Sequence, residues 1–415
     1  MKAEYLCTTE QAKEASLVIE QYRQSDKQAL ERLLMSVADA LAQGQAIDLD
    51  TNEELPRLIP ILCTYFSREE LARILGEQTA AKLLDMYRTE ILQNLFLEAE
   101  LCKVLHACNE ANIRLMLFKG PALAYTVYPE VHLRTYHDID ALIHPTDLPR
   151  ARALLTSMGY KFYEEFRANA INSQRSGYNF SLERPDSWLE VLIELHTAPH
   201  ASEIDADFDI EALWAGAQAI TVLDEPTLTM NPLDHLLYLC WHYRFHGFSR
   251  LLWLYDVVVM IRSLGSSLDW DALEQKAYRQ HLAATLYYCL SWCRDLFDVS
   301  IPGRVLAHLR PPLACRLLVE RIAMPDAART LVTAGGKHRR ILAHRAMVDS
   351  TPRLLRSAWR SLFPTAAVMG QRYMEHSPLP LQLYFLYYLI HPWVTLLKGV
   401  RYLLPAKRSG GKHAQ

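Results

Sequence analysis

Hydrophobic residues recur at helical spacing over most of the chain, with one interruption before its middle. This three-to-four-residue repeat predicts helices over residues 9–110, 233–246, 249–263 and 270–296. Ser67 and Glu70 form the Ser-x-x-Glu pattern of a capping box, in which each side chain accepts a backbone hydrogen bond from the other residue. The pattern therefore predicts that a long helix begins at Ser67.

The interruption covers residues 113–196, where the apolar runs become short or alternate with polar residues. Such patterns are typical of strands that are buried on one or both faces. The predicted strands are residues 113–118, 138–143, 160–166, 178–182 and 189–195. Pro121 begins a predicted short helix, and Thr146 begins another that ends at Gly159. Residues 113–196 are thus predicted to form a compact mixed α/β unit.

The resulting fold class is α+β, with a small mixed-sheet core embedded in a mostly helical protein. A chain of 415 residues is too long for one ordinary core, which indicates several domains. The predicted division is an N-terminal helical region (1–95), the α/β core (96–200), a helical substrate-side domain (201–300) and a basic helical C-terminal region (301–415).

Charge is unevenly distributed, although the net charge of the chain is only -3. Residues 301–415 contain 18 Lys and Arg but 4 Asp and Glu, a net charge of +14 that leaves -17 for the other residues. This imbalance predicts an anionic partner, which could be a membrane surface, a nucleic acid or a phosphorylated substrate. The alternative is that the basic region packs against the acidic part of the same protein. Nucleic acid ranks below the other partners because the chain lacks aromatic-basic RNA-binding motifs.

Residues 377–397 form a run of 21 residues without Asp, Glu, Lys or Arg, and basic residues follow it through 408. That length would just cross a bilayer. Prolines and tyrosines within the run favour a helix that packs against the protein or lies at a membrane interface over one that spans the bilayer. Packing against the protein is the first interpretation, and peripheral membrane contact through residues 377–408 is the second.

The cysteines and the N-terminus favour a cytoplasmic protein. The eight cysteines are scattered and contain no CxxC pair, so neither a disulfide framework nor a structural zinc site is indicated. The first residues do not form a signal peptide. The expected location is the cytoplasm, in contact with the inner face of the membrane if the C-terminal run meets lipid.

Two carboxylates share one face of the predicted strand 138–143. Asp138 and Asp140 are two residues apart, and side chains alternate between the faces of a sheet. The two carboxylates repel each other unless cations bridge them. Mg²⁺ binds one or two carboxylates together with substrate phosphate oxygens. A third acid from a neighbouring strand would complete a two-metal site. Glu194 is the candidate for this position, and Glu190 on the same face is its rival.

Basic residues accompany this pair. Lys119 and Gly120 form a turn between a predicted strand and a helix, where backbone N–H groups and the helix dipole favour a phosphate. Arg134, four residues before Asp138, carries a guanidinium that can hold two phosphate oxygens at once. These neighbours make a phosphate-binding metal site a stronger interpretation than a solvated strand face.

The motifs follow a fixed order: Lys119-Gly120, Tyr128-Pro129, Arg134, Asp138-Ile139-Asp140-Ala141-Leu142 and Glu194-Leu195-His196. In this order they resemble the signature of the bacterial uncharacterised nucleotidyltransferases, within the polymerase-β-like nucleotidyltransferase superfamily. The resemblance covers residues 95–265. The chain departs from the superfamily at Pro121, which stands where a glycine-serine turn would place a hydroxyl against phosphate.

The resemblance implies a nucleotidyltransferase that moves an NMP from an NTP to an acceptor by a two-metal mechanism with Mg²⁺. The implied metal ligands are Asp138, Asp140 and Glu194, and the implied nucleotide-binding residues are Lys119, Gly120 and Arg134. Family members are found beside genes for polysaccharide assembly and peptide tailoring. The expected acceptor is therefore a hydroxyl or phosphate of a polysaccharide precursor or a ribosomally made peptide.

Several histidines lie near these motifs in the sequence. His196 shares the strand face of Glu194, so it could act as a general base, orient a hydroxyl or support the metal ligands; a structural role is the alternative. His242 and His246 share a helix face at i, i+4. With Arg250 they are predicted to line the substrate cleft, whereas Asp256 is expected to form a cap or a salt bridge.

Two alternative functions remain open at this point. A toxin-like modifier of protein or tRNA would account for the basic region 301–415 through a large anionic acceptor. A degenerate transferase that serves as a membrane-associated scaffold would account for residues 377–408.

Overall fold

The computed structural model describes most of the chain, and every structural statement below concerns these residues. The described residues are 23–35, 38–39, 56–163, 177–182, 191–199, 208–248, 250–324, 337–365, 369 and 385–403.

Seven strands form one mixed sheet in the order β3-β4-β5-β2-β1-β7-β6. The strands are β1 (Leu115–Leu117), β2 (Asp138–Ile143), β3 (Lys161–Tyr163), β4 (Gly177–Leu182), β5 (Val191–His196), β6 (Gln218–Val222) and β7 (Glu225–Thr229). The central strand β2 pairs antiparallel with β1 and parallel with β5. The five strands predicted from the sequence are present, and the α+β fold class is confirmed.

The hairpin of β6 and β7 was not predicted, and it extends the sheet past the predicted core boundary at residue 200. β7 adds to the sheet by pairing parallel with β1. Leu223 and Asp224 connect the two strands, and both have positive φ angles, 52° and 63°. A two-residue hairpin loop needs that backbone, which sequences usually mark with Asn-Gly or Asp-Gly. Neither dipeptide occurs between β6 and β7, which explains why the strand pattern of residues 218–229 was not recognised.

Helices surround the sheet. Residues 23–35 form α1. The others are α2 (Ile59–Tyr65), α3 (Arg68–Leu75), α4 (Glu77–Glu110), α5 (Gly120–Thr126), α6 (Leu148–Ser157), α7 (Ile210–Ala215), α8 (Pro232–Phe245), α9 (Leu251–Leu264), α10 (Trp270–Arg279), α11 (Ala283–Phe297), α12 (Gly303–His308), α13 (Leu313–Arg316), a π-helix (Leu317–Ala323), α14 (Lys337–Ala346), α15 (Thr351–Leu362) and α16 (Phe385–Leu403). Short 3₁₀ turns occur at Pro56–Leu58, Val131–Leu133 and Gly265–Ser267.

Two of the predicted helices are divided in the structure. The capping box at Ser67 is present, but α3 ends at Gly76, whose φ of 86° is accessible to glycine at little cost. The predicted helix 270–296 is likewise divided between α10 and α11, at a loop in which His281 has a φ of 59°. In contrast, α4 is one helix of 34 residues that continues across the predicted domain boundary at residue 95.

The sheet separates two hydrophobic clusters. Ile139, Ala141 and Ile193 face a smaller cluster formed with α4 and α6. Met116 and Leu142, on the opposite face, join a larger cluster that includes α2, α3 and α8 through α11. Because side chains alternate along β2, Asp138 and Asp140 share the face of Leu142. The acidic pair is therefore directed toward the side of the sheet covered by α8.

At the C-terminus, α16 contains the second half of the uncharged run, and residues 377–384 lie outside the described residues. Within the described part of the chain, no helix has the length and apolar character needed to cross a membrane.

Candidate active site

The pairing of β2 with β5 brings the predicted acids together. Asp140 is directly opposite Glu194, and Leu142 is opposite His196. Residues paired on neighbouring parallel strands point to the same face, so the two residues of β5 project beside Asp138 and Asp140. The structure thus assembles all four residues on the face directed toward α8; Glu190, the alternative third acid, lies outside the described residues.

The polar atoms of this cluster are within direct contact distance. His196 Nε2 lies 3.0 Å from Asp140 Oδ1 and 3.4 Å from Glu194 Oε2. Asp140, Glu194 and His196 each offer one possible ligand atom, and these atoms lie within 4.8 Å of one another. Asp138 lies close enough to Asp140 and Glu194 for the charges of both to raise its pKa.

Lys119 enters the cluster from the turn between β1 and α5. Its ammonium donates a 2.7 Å hydrogen bond to Asp140 Oδ1, and its charge also acts on Tyr238 of α8, where it opposes the rise in pKa that burial causes. The Lys119 backbone has φ 65° and ψ −136°, a conformation that side-chain-bearing residues rarely adopt. Strain of this kind concentrates at functional sites. The backbone at this turn therefore places the only described lysine that contacts the acids.

Gly120 follows Lys119 because the Tyr136 side chain leaves no room for another side chain at this position. A Cβ atom at Gly120 would lie 2.6 Å from Cβ of Tyr136, two residues before Asp138. Side-chain rotation alone cannot relieve the clash that an alanine would make here, since the opposing atom is itself a Cβ. The glycine thus permits the turn to pack against the segment that leads into β2.

We expect Gly120→Ala to lower the stability of the protein by about 1–3 kcal/mol, the usual range for overpacking a filled site. Thermal unfolding measured by circular dichroism provides the comparison. Gly303→Ala is the matched control, because a Cβ there meets nothing within 4 Å. Equal melting temperatures for the two variants would contradict the proposed close packing.

The electrostatics of the cluster differ between its two aspartates. Burial raises the pKa of Asp138 to about 6, and the negative charge of Asp140 adds to this effect. Burial acts in the same direction on Asp140, but the positive charges and hydrogen bonds of Lys119 and His196 outweigh it, and the pKa of Asp140 lies well below its ordinary value. For His196, burial disfavours the proton, yet hydrogen bonds to Asp140 and Glu194 raise its pKa. The cationic groups of Lys119 and His196 therefore lie against the Asp140 carboxylate.

Arg134 has an internal partner rather than an open position toward a ligand. Its Nε and Nη2 donate to the two carboxylate oxygens of Asp256, at 2.7 and 3.0 Å, and Nη1 donates to the Thr135 carbonyl. Tyr128 also donates to Asp256, at 2.7 Å. The side chains of Arg134 and Asp256 are 6% and 1% exposed. Asp256 forms the expected salt bridge, and direct phosphate binding by Arg134 stays a prediction.

One face of α8 lies over the cluster and carries Tyr238, His242 and His246, each four residues from the next. The rings of Tyr238 and His242 stack with centroids 5.8 Å apart, and both histidines lie against Trp253, at 4.5 and 4.7 Å. Arg250 lies over the same indole, 4.7 Å from its centroid. The structure thus brings together the predicted substrate residues His242, His246 and Arg250.

Burial keeps His242 and His246 uncharged. It lowers the pKa of His246 to about 4 and places that of His242 well below its ordinary value, and the positive charge of Lys119 contributes in both cases. This effect of Lys119 shows that the histidines lie near the acidic cluster. Tyr238 was not singled out from the sequence, although its spacing from His242 and His246 was a signal that could have identified it.

Arg57, in the 3₁₀ turn Pro56–Leu58, is a second residue that sequence reasoning missed. Burial and the neighbouring guanidinium of Arg250 lower its pKa to about 10, while the carboxylates of Glu90 and Asp138 act in the opposite direction. Its charge therefore lies close to the acidic cluster. No motif surrounds Arg57 in the sequence, so its position follows from the tertiary fold alone.

The donor atoms fit a hard divalent cation. Asp138, Asp140 and Glu194 supply carboxylate oxygens, the ligands that Mg²⁺ prefers, on one face of two adjacent strands. His196 adds a nitrogen that already contacts Asp140 and Glu194, a position suited to orienting these carboxylates. The arrangement can therefore hold a cation together with an anionic ligand.

Comparison with known proteins gives one family match. The model of a family described as uncharacterised nucleotidyltransferase matches residues 54–298. Similar solved structures include the antibiotic-resistance factor ANT(2'')-Ia, 14% identical over 48% of this chain and 99% of its own, with a TM-score of 0.32. An antigenic nucleotidyltransferase-like protein from Paracoccidioides brasiliensis is 14% identical over 51% of this chain and 96% of its own, with a TM-score of 0.31. A search of curated proteins gives no match. All the predicted site residues lie within the family match.

Proposed function

The chain belongs to the uncharacterised nucleotidyltransferase family, and from this premise we propose that it transfers an NMP from an NTP to a hydroxyl or phosphate acceptor with the help of Mg²⁺. The observation that carries the proposal is the convergence of Asp140, Glu194 and His196, with Lys119 hydrogen-bonded to Asp140. In the reaction, an acceptor oxygen forms a bond to the α-phosphorus of the NTP. The bond between the α-phosphorus and the bridging oxygen breaks, and pyrophosphate leaves.

Asp138, Asp140 and Glu194 are the proposed metal ligands. Bound Mg²⁺ would neutralise charge on the triphosphate and favour the ionised form of the acceptor oxygen. In the proposed two-metal mechanism, these three carboxylates would hold two Mg²⁺ ions. His196 is proposed to keep Asp140 and Glu194 in position through its contacts with both, and a proton-accepting role toward the acceptor hydroxyl is the alternative for the same ring.

Lys119 is proposed to exchange partners during nucleotide binding. Burial would lower the pKa of its ammonium, but the charge of Asp140 outweighs this and keeps it protonated. A divalent cation on the Asp140 carboxylate would compete with the ammonium for the same oxygen. Lys119 could then bind a phosphate oxygen of the NTP, with the Gly120 turn allowing the nucleotide to approach the backbone.

The acceptor is proposed to bind along α8, at His242, His246 and Arg250. The two neutral imidazoles and the indole of Trp253 offer flat surfaces and uncharged hydrogen-bonding groups beside the acids. Such a surface suits the hydroxyl-bearing face of a sugar or a peptide side chain. A polysaccharide precursor or a ribosomally made peptide is therefore the proposed acceptor class.

We propose that the α/β core extends beyond the predicted residues 96–200 to include the hairpin of β6 and β7, since β7 pairs with β1. The helices that follow, from α8 onward, form the substrate side.

We also propose a cytoplasmic location. The seven described cysteines are free thiols, and a reducing compartment would keep them so.

A panel of NTPs, incubated with Mg²⁺ and extracts of the host cell, tests the proposal through release of pyrophosphate. We expect release that depends on the metal, on one or a few NTPs and on a component of the extract. Isotope from α-labelled NTP should appear in that component. Pyrophosphate release that continues after the metal is chelated, or the absence of Mg²⁺-dependent NTP binding by calorimetry, would contradict the proposal.

Lys119→Gln is expected to raise the KM for the NTP by about tenfold to a hundredfold, since a charge-assisted hydrogen bond contributes about 1.5–3 kcal/mol. Glutamine retains a hydrogen-bond donor toward Asp140 but removes the charge. Steady-state kinetics over a range of NTP concentrations measures the effect. Lys27→Gln is the control, because Lys27 also pairs with a carboxylate, that of the half-exposed Glu70. An unchanged KM in the Lys119 variant would exclude the phosphate-binding role.

A further inference from the structure

α16 exposes a stripe of large apolar side chains. Phe385, Leu389, Ile390, Trp393, Leu396 and Leu397 are each 49–68% exposed. At 100° per residue these positions share one side of the helix. The opposite side carries His391, which is buried and whose Nε2 lies 3.1 Å from the Ser361 carbonyl at the end of α15. The stripe therefore faces away from the contact that attaches α16 to the protein.

α15 exposes a second stripe, and basic residues border it. Leu355 and Trp359 lie one turn apart and are 66% and 62% exposed, and the ring of Trp359 packs against Phe363 with centroids 4.4 Å apart. Arg356 and Arg360 are also exposed. Each arginine follows an apolar residue of the stripe by one position, so it projects from the edge of the apolar face. The helix thus combines exposed apolar and cationic groups on adjacent sides.

Apolar faces of this extent are uncommon on a protein that meets only water. Contiguous exposed patches mark interfaces with another protein or with lipid. Tryptophans within an apolar face and arginines beside it are typical of helices that lie in the headgroup region of a bilayer. Residues 350–415 contain nine Lys and Arg and a single acidic residue, Glu375. That charge would repel a second copy of the same surface and attract anionic headgroups.

We propose that the exposed faces of α15 and α16 bind the surface of an anionic lipid bilayer, with the apolar stripes inserted among the headgroups and the arginines against lipid phosphates. The helices lie on the membrane and do not cross it. This surface is separate in sequence from the acidic cluster, so membrane binding is a second property of the protein. It places the nucleotidyltransferase beside acceptors that are themselves attached to a membrane.

Vesicle flotation with the full chain tests this inference. We expect the chain to bind vesicles of phosphatidylcholine mixed with phosphatidylglycerol, and to bind vesicles of phosphatidylcholine alone more weakly. Salt should weaken binding to the mixed vesicles. Leu389→Asp with Trp393→Asp should reduce partitioning to the mixed vesicles by about tenfold or more. Arg356→Glu with Arg360→Glu should cause a loss of similar size, because each basic residue near an anionic surface contributes about fivefold.

Matched substitutions elsewhere provide the controls. Leu92→Asp changes a leucine of α4 that is 60% exposed, and Arg88→Glu changes an exposed arginine of the same helix. Both should leave vesicle binding unchanged, and all the variants should melt at the temperature of the unaltered protein. Brominated lipids should quench tryptophan fluorescence in the unaltered chain, and Trp359→Phe with Trp393→Phe should remove that quenching.

Three results would overturn the inference. The first is a chain that does not float with vesicles of either composition. The second is floating that the Leu389 and Trp393 variants retain in full. The third is a change from dimer to monomer in those variants, measured by light scattering in the absence of lipid, which would identify the stripe as a contact between two copies.

Discussion

Asp138→Asn combined with Asp140→Asn is expected to abolish nucleotide transfer, with a fall in turnover of about a thousandfold or more. Metal ions at such a site contribute several kcal/mol to stabilising the transition state, and each 1.4 kcal/mol is about tenfold in rate. The two amides keep the shape of the carboxylates but lose the charge that holds cations. Binding of Mg²⁺ and of the Mg²⁺-NTP complex should be lost together with turnover.

Asparagine is the better replacement because of Lys119. The ammonium of Lys119 is partly buried and donates to Asp140 Oδ1. Alanine at position 140 would remove that acceptor and leave a cation in a poorly solvated place, which is costly for the folded state. An amide oxygen retains the hydrogen bond. Loss of activity in the asparagine variant can therefore be assigned to the missing charge, provided that its melting temperature stays close to that of the unaltered protein.

Two exposed aspartates supply the control for this experiment. Asp85→Asn combined with Asp295→Asn removes the same charge from positions that are more than half exposed. This control should retain both turnover and Mg²⁺ binding. If the Asp138 and Asp140 variant also retained them, the acidic cluster would not be the metal site, and the proposed mechanism would have to be abandoned.

The strand that carries these aspartates was predictable because its pattern is local. Acidic and apolar residues alternate through 138–143, and β2 has those bounds in the structure. The same period places Glu194 and His196 on one face of β5. The sequence could not specify the register between β2 and β5, which are separated by about fifty residues. That register, with Asp140 opposite Glu194, is what brings the four side chains together.

The partners of the charged residues were less predictable. Arg134 and Asp256 are 122 residues apart, and a guanidinium close to two aspartates in the sequence is as compatible with phosphate as with a buried carboxylate. Lys119 likewise contacts Asp140 through a turn whose positive φ has no sequence signature. Arg57 reaches the site from a turn before α2. In each case the partner is determined by the packing of distant elements, which local periodicity does not encode.

Asp256→Ala is expected to destabilise the protein by about 3–5 kcal/mol, the usual result of removing one partner from a buried ion pair. Without Asp256, the buried Arg134 guanidinium keeps its charge and loses two hydrogen bonds, and the Tyr128 hydroxyl loses its acceptor. Thermal unfolding should show a melting temperature lower by about 10 °C. The exposed pair Arg88–Asp85 provides the control, since Asp85→Ala should change the stability by about 0.5 kcal/mol or less.

A second variant separates the two roles that Arg134 could have. Arg134→Met combined with Asp256→Leu replaces the ion pair by apolar side chains, which often restores much of the lost stability. If Arg134 acts only within the fold, this variant should regain both its melting temperature and its KM for the NTP. If Arg134 also binds phosphate, as the motif predicts, stability should return while the KM stays raised. A buried cation that loses its partner should destabilise the folded state. If the Asp256→Ala protein instead has the same melting temperature as the Asp85→Ala control, the ion pair contributes little to stability.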